Sequence, residues 1–189
     1  MITPEAASSG LLILFVITWL AAALWAGRKT GSMAPRELAP LYGGGLLFCI
    51  GFAAAVHWIP AMKERLWPSH PALEWPMVAL CGAGLAFCWW ARLHLGRLWA
   101  GGVIVREGHR VVDTGPYALV RHPIYSGVFV AMMAAAAVRA RPAAIALAAG
   151  LIVFFALKAR IEERFLRQEL GAAYDEYRAR VPMLVPGLR

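Results

Sequence analysis

Residues Gly115–Gly127 read Gly-Pro-Tyr-Ala-Leu-Val-Arg-His-Pro-Ile-Tyr-Ser-Gly and run straight into a long apolar segment. Pro123 decides how they fold. In a helix interior, proline loses a backbone hydrogen bond and clashes with the preceding turn, but it suits the first helical position. A helix is therefore expected to begin at Pro123, with Arg121 and His122 at its mouth. That end of a helix carries unpaired N–H groups and the positive pole of the dipole, so it suits an anion. An arginine fork and a histidine add donors for a carboxylate or phosphate. Residue types alone favour a plainer role, a basic loop that anchors an apolar span to lipid headgroups.

Composition points to the membrane. Of 189 residues, 60% are hydrophobic and 16% charged; the mean hydropathy of +0.60 lies above that of a typical soluble chain. The length fits one domain. Within residues 1–189 we separate three N-terminal spans, 1–91, from a half that carries the chemistry, 92–189. A net charge of +8 would suggest nucleic acid in a soluble protein. Here the arginines lie between apolar runs, the pattern of headgroup contacts and orientation signals. Nucleic acid is discounted and membrane lipids are the expected surroundings. Cys49, Cys81 and Cys88 lie inside apolar segments without Cys-x-x-Cys spacing, and no histidine stands at metal-ligand spacing. They read as small core residues, and no metal is expected. The first apolar segment has neither a basic region before it nor a clear cleavage site, and reads as a retained span.

About five transmembrane helices follow from the apolar runs: Gly10–Ala26, Leu41–Ile59, Trp75–Leu95, Ile124–Val138 and Ala143–Leu157. Gly43-Gly44-Gly45 and Gly51 suit close helix approach, and Gly82-Ala83-Gly84 reads first as packing. Between the third and fourth runs, Val103-Ile104-Val105 and Val111-Val112 flank Glu107-Gly108-His109 and predict a small hairpin. The last two runs reach only about 22 Å each as helix and are joined by almost no linker. They are expected to form an antiparallel hairpin with tightly packed alanine-rich faces. Lys158–Arg180 is amphipathic: as one helix it places Glu162, Leu166, Leu170, Ala173, Tyr177 and Val181 on a single face. Glu162 then sits on the apolar stripe, where a carboxylate is costly unless it is paired or binds something. Glu163 lies about 100° away. With the N-terminus outside, fifteen Lys and Arg residues fall on inner segments and four (Lys63, Arg65, Arg139, Arg141) on outer ones. That asymmetry puts the Gly115–Gly127 motif and the C-terminal segment together on the cytosolic side.

The string Gly-Pro-Tyr-x-x-Val-Arg-His-Pro-x-Tyr-x-Gly resembles the signature of the isoprenylcysteine carboxyl methyltransferase (ICMT) family, with related versions in phospholipid methyltransferases and some membrane sterol reductases. The likeness extends over the C-terminal half: Leu95-Gly96-Arg97-x-Trp99, Arg106-Glu107-Gly108-His109, Glu162-Glu163, and Leu170-Gly171-x-x-Tyr174-x-x-Tyr177-x-x-x-Val181-Pro182. The resemblance implies an all-α integral membrane enzyme whose cytosolic loop and C-terminal helix form a site for S-adenosylmethionine. On that reading Gly115, Tyr117, Arg121, His122, Pro123, Tyr125, Glu162 and Glu163 bind the cofactor. Gly82-x-Gly84 resembles a Gly-x-Gly in a comparable span of phospholipid methyltransferases, which would imply a role beside the cofactor. No glycine-rich strand–turn–helix fingerprint of a soluble nucleotide fold is present.

The implied reaction moves a methyl group to the carboxylate of a prenylcysteine-like or other lipophilic acceptor entering from the bilayer. A carboxylate is already nucleophilic, so alignment and exclusion of water suffice. Arg92 is the candidate cation to hold it, with interfacial snorkelling as its alternative role. An amine acceptor, as in a phosphatidylethanolamine N-methyltransferase, needs a base, for which His122 or a glutamate is placed. Two further readings stand beside these: a membrane reductase sharing the motif, and a lipid-binding protein without catalysis.

Overall fold

The structure, a computed structural model, describes residues 2–23, 29–32, 35–99, 104–106 and 111–188. The chain is an all-α membrane protein whose described residues form, apart from one short strand pair, the helices α1 (Pro4–Ala23), α2 (Pro35–Trp58), α3 (Pro71–Leu95), α4 (Pro116–Leu119), α5 (Pro123–Arg139), α6 (Pro142–Leu170) and α7 (Ala172–Arg180). Four of these, α1, α2, α3 and α6, are long and apolar enough to cross a bilayer, and α5 is a shorter apolar helix of 17 residues. Their outward side chains, such as Ile13, Leu20, Leu46, Leu47 and Val153, are apolar and exposed, as lipid-facing surfaces require.

Prolines set most helix starts. Pro71, Pro116, Pro123 and Pro142 each stand in the first turn, where a missing N–H costs nothing. The expected start at Pro123 holds, with His122 as the preceding cap residue. The second and third spans begin earlier than the apolar runs suggest and carry Pro40 and Pro76 inside. Both prolines fall in the first two turns, close to where N–H groups have no intrahelical partner.

Three expectations are corrected. The small hairpin is not formed as drawn: Ile104–Arg106 (β2) pairs antiparallel with Lys29–Ser32 (β1), from the link after α1. Val111 and Val112 lie outside any strand, while Val103 and Glu107–His109 lie outside the described residues. Of the α2 glycines only Gly45 stands at a close approach, where a Cβ would come within 3.2 Å of the Phe154 ring of α6; at Gly43, Gly44 or Gly51 it would meet nothing within 4 Å. The close approach of backbones is between α3 and α5. A Cβ on Gly84 would stand 2.7 Å from the Gly127 carbonyl oxygen, and one on Gly127 2.6 Å from the Cys88 sulfur. The alanine-rich face of α5, through Ala131, Ala134 and Ala135, packs there on Cys81 and Leu85 of α3, as well as turning back along α6. Cys81 and Cys88 are core residues, but Cys49 is exposed on α2.

The third correction concerns the C-terminal segment. The helix of the fifth run does not stop at Leu157; α6 continues to Leu170 and carries Glu162 and Glu163. Gly171, at φ +55°, then ends it, a conformation that glycine adopts without strain. The break resets the phase, so Tyr174 rather than Ala173 joins Tyr177 and Val181 in a buried cluster with Leu166, Leu170 and Val111. At the opposite end of the molecule, Arg65 bonds Glu5 at 2.6 Å and Glu74 at 2.7 Å. The Leu66 N–H donates to the Ala140 carbonyl in the α5–α6 turn. This knot ties α1, α3 and the hairpin together away from the motif.

Candidate functional site

The motif and the end of α6 meet across one cavity of about 510 Å³, within the range of small-molecule sites. Its polar wall is built from α5 and α6. Because Pro123 starts α5, Tyr125 lies in the first turn, and its phenol donates to Glu162 at 2.8 Å. Lys158, one turn before Glu162, donates from Nζ to the Tyr125 oxygen at 2.7 Å and to Glu162 Oε1 at 2.6 Å. The imidazole of His122 stacks flat on the Tyr125 ring, at 5.4 Å between centroids. It stands between the two carboxylates, Nδ1 3.6 Å from Glu162 and Nε2 3.4 Å from Glu163. Neither distance is that of a tight hydrogen bond. Arg121 donates from Nε to Glu163 at 2.6 Å, and its Nη1 is held by the carbonyls of Arg178 and Val181. Arg178 approaches Glu163 at 3.4 Å.

The helix mouth is thus already occupied by the chain itself. The Arg121 and His122 N–H groups donate to the carbonyls of Pro182 and Met183, and the Ser126 hydroxyl donates to that of Leu184. The C-terminal strap takes donors that the sequence offers to an anion.

The remaining walls are apolar and aromatic. Phe154 and Phe155 of α6, Val128 of α5, Phe15 and Trp19 of α1, and Tyr42 of α2 line the membrane side. Tyr117, Tyr174 and Tyr177 close the other side. The Tyr177 phenol donates to the Tyr117 carbonyl at 2.7 Å, which locks α7 to the short α4. Burial is the main cause that holds the phenols of Tyr117, Tyr174 and Tyr177 above their ordinary range.

Of the residues singled out in the sequence, Tyr117, Arg121, His122, Pro123, Tyr125 and Glu162 all line the cavity. Glu163 lies just behind Arg121 and His122. Gly115 stands apart, at φ +57° as the cap of α4; a Cβ there would come within 2.7 Å of the His94 ring. Arg92 is buried behind the lining. Its guanidinium lies 3.4 Å from the ring centre of Trp99, 4.5 Å from Trp19 and 5.7 Å from Trp89, a cation–π box rather than a head raised to water. Its Nη1 has no hydrogen-bond partner among the described residues.

Sequence reasoning missed Lys158, Tyr42 and Phe155. Lys158 carried a signal, since a lysine four residues before a glutamate shares its helix face. Tyr42 carried none, because only the fold brings α2 to this cavity. No cluster of three or more metal-ligating side chains is found among the described residues.

Comparison with known proteins bears on the same region. The model of the isoprenylcysteine carboxyl methyltransferase (ICMT) family matches residues 77–168, a stretch that holds the lining residues from Tyr117 to Glu162 and Glu163 behind them. Protein-S-isoprenylcysteine O-methyltransferase B of Arabidopsis thaliana is 32% identical over 144 residues, 75% of this chain and 71% of that protein. The probable protein-S-isoprenylcysteine O-methyltransferase of Oryza sativa subsp. indica is 25% identical over 192 residues, 95% of this chain and 93% of that protein. Methanethiol S-methyltransferase 2 of Bradyrhizobium diazoefficiens is 46% identical over 72 residues, covering 38% of this chain and 27% of that protein.

Proposed function

From the premise that this chain belongs to the ICMT family and is a membrane methyltransferase, we propose that it uses S-adenosylmethionine to methylate the carboxylate of a prenylcysteine-like or other lipophilic acceptor. The observation that carries the cofactor reading is Glu162 of α6, bonded to Tyr125 and beside His122 in the wall of a cavity that is otherwise largely apolar and aromatic, with Glu163 behind it. S-adenosylmethionine presents an ammonium, a ribose diol, an adenine ring and a positively charged sulfur. A carboxylate at Glu162 suits the ammonium or the diol, and the rings of Tyr125, Tyr117 and Tyr174 suit the adenine or the sulfonium. Arg121 acts through Glu163, which it holds in place, and the strap over Arg121 and His122 fixes the turn. Arg92 acts through Trp19 and Trp99, whose rings it braces against the cavity. Held by Glu162 and the tyrosine rings, S-adenosylmethionine would supply the methyl group, its carbon–sulfur bond giving way to the new carbon–oxygen bond and leaving a neutral thioether. A carboxylate acceptor gives up no proton in that exchange, so no base is required of the protein.

Lateral entry of the acceptor is supported by the lining itself, since Phe15, Tyr42, Val128 and Phe154 belong to helices within the bilayer. The site faces the cytosol on this reading, because Arg160, Arg164, Arg167, Arg178 and Arg180 lie on α6 and α7, the helices that carry Glu162 and Tyr177. Kinship with a methanethiol S-methyltransferase favours one second reading, a small thiol as acceptor.

The deciding experiment follows the thermal stability of detergent-solubilised protein with S-adenosylhomocysteine, which must raise it if the folded state binds the ligand. Glu162→Gln removes the charge and is expected to weaken that binding by roughly tenfold to a hundredfold. Wild-type affinity in the variant overturns the placement. Offering a farnesylated cysteine, phosphatidylethanolamine and a small thiol then distinguishes the acceptors.

A further inference from the structure

We propose that Lys158 forms the subsite for the acceptor's carboxylate; the inference rests on the carboxylate reading above. Three cations lie near the cavity. Arg121 gives its Nε to Glu163 and its Nη1 to the carbonyls of Arg178 and Val181. Arg92 is boxed by tryptophans behind the lining. Lys158 lines the cavity from α6, between its apolar and its polar wall. Its side chain is buried, at 7% exposure, and its ammonium carries three donors. Two go to Tyr125 and Glu162, and the third has no partner among the described residues.

Its place along α6 fits an amphiphilic ligand. Phe154 and Phe155, the turn before, line the apolar part of the same cavity, and Glu162, the turn after, belongs to the polar wall. The ammonium therefore stands where an apolar tail ends and an anionic head begins. Charge balance agrees. Glu162 and Glu163 are matched by Lys158 and Arg121, and Arg178 also approaches Glu163, so the wall has no excess negative charge without ligands. S-adenosylmethionine brings one net positive charge, and one acceptor carboxylate offsets it in a site where unmatched charge is costly. A cationic group of the cofactor that shared Glu162 would loosen the hold of that carboxylate on Lys158 and leave the ammonium freer for the acceptor.

The test compares an N-acetylated farnesylcysteine with its carboxamide, binding each to detergent-solubilised protein with and without S-adenosylhomocysteine. Wild-type protein is expected to bind the acid at least tenfold more tightly than the amide. Lys158→Gln keeps a donor for Tyr125 and Glu162 but no charge. It is expected to lose that preference while holding the amide within threefold and still gaining stability from S-adenosylhomocysteine; Lys158→Arg retains the preference. Equal binding of acid and amide by the wild type overturns the subsite, and so does equal weakening of both in Lys158→Gln. Acid preference intact in that variant with stabilisation by S-adenosylhomocysteine lost also overturns it, by reassigning Lys158 to the cofactor. A wild type that is not stabilised by S-adenosylhomocysteine sinks the cofactor reading alone, since the acid-versus-amide comparison without it still stands.

Discussion

Tyr177 ties two separate pieces of the chain with one phenol, and its protonation state matters to both. It donates to the Tyr117 carbonyl while buried against Tyr174 and Val181. Burial pushes its pKa above the usual 10.0, with Asp113 and Glu163 adding to the rise and Arg121 opposing it. A raised folded-state pKa means that the neutral phenol favours the fold. The contribution is whole below about pH 10 and fades as pH climbs from there towards the folded value. Tyr177→Phe removes both the bond and one titrating group. Its unfolding temperature is expected to be lower at pH 8, where an unsatisfied carbonyl costs about 1–3 kcal/mol, and to fall less steeply between pH 9 and 11. Parallel curves for the two proteins would count against the assignment. At this scale the sequence was legible where a residue's chemistry is local: Pro123 at a helix start, Arg121 and His122 beside it, two glutamates one after the other. Arg92 was not, because its three tryptophan neighbours come from α1, α3 and the turn after α3, and no spacing rule brings those together.

Among the elements, the crossing of α3 and α5 fixes where the motif can stand. Gly84 and Gly127 let the two backbones touch, and Cys88 donates from its sulfur to the Ile124 carbonyl at 3.2 Å. A Cβ at Gly127 meets backbone, which cannot give as a side chain can. Gly127→Ala is therefore expected to destabilise by about 1–3 kcal/mol or more and to shift the start of α5 away from α6, lowering both the unfolding temperature and S-adenosylhomocysteine binding. Gly44→Ala, with open space around its Cβ, serves as the control and should change neither. Equal tolerance of the two substitutions, read by thermal unfolding and ligand titration, would falsify the crossing as the positioning device. The small residues of both helices were visible in the sequence, yet which glycines touch was not. Every apolar helix has small-residue faces, and only the fold selects the pair that meets. The helical phase of the last segment failed for a related reason, since one glycine at positive φ resets a periodicity that otherwise reads as continuous.

Over the whole molecule, the charged groups sort into two ends with different work. One end holds the cavity wall, the strap of Val181–Leu184 and the arginines of α6 and α7. The other holds the Arg65 knot with Glu5 and Glu74, plus Arg141 at 3.4 Å from Glu5, and lies beside the α5–α6 turn. The excess of lysine and arginine belongs to the first end, so that end is expected in the cytosol. That much was readable from charge counting, because orientation depends on composition rather than on contacts. Cysteine labelling in intact cells checks it on a background in which Cys49, Cys81 and Cys88 are replaced by serine or alanine. Glu64 and Glu176 are both exposed and neither takes part in an ion pair above, so Glu64→Cys and Glu176→Cys report the two ends without disturbing either. A membrane-impermeant maleimide is expected to label the cysteine at 64 at once and the one at 176 only after permeabilisation. The reverse pattern turns the molecule over and moves the cavity to the outer face, where a cytosolic supply of S-adenosylmethionine could not reach it.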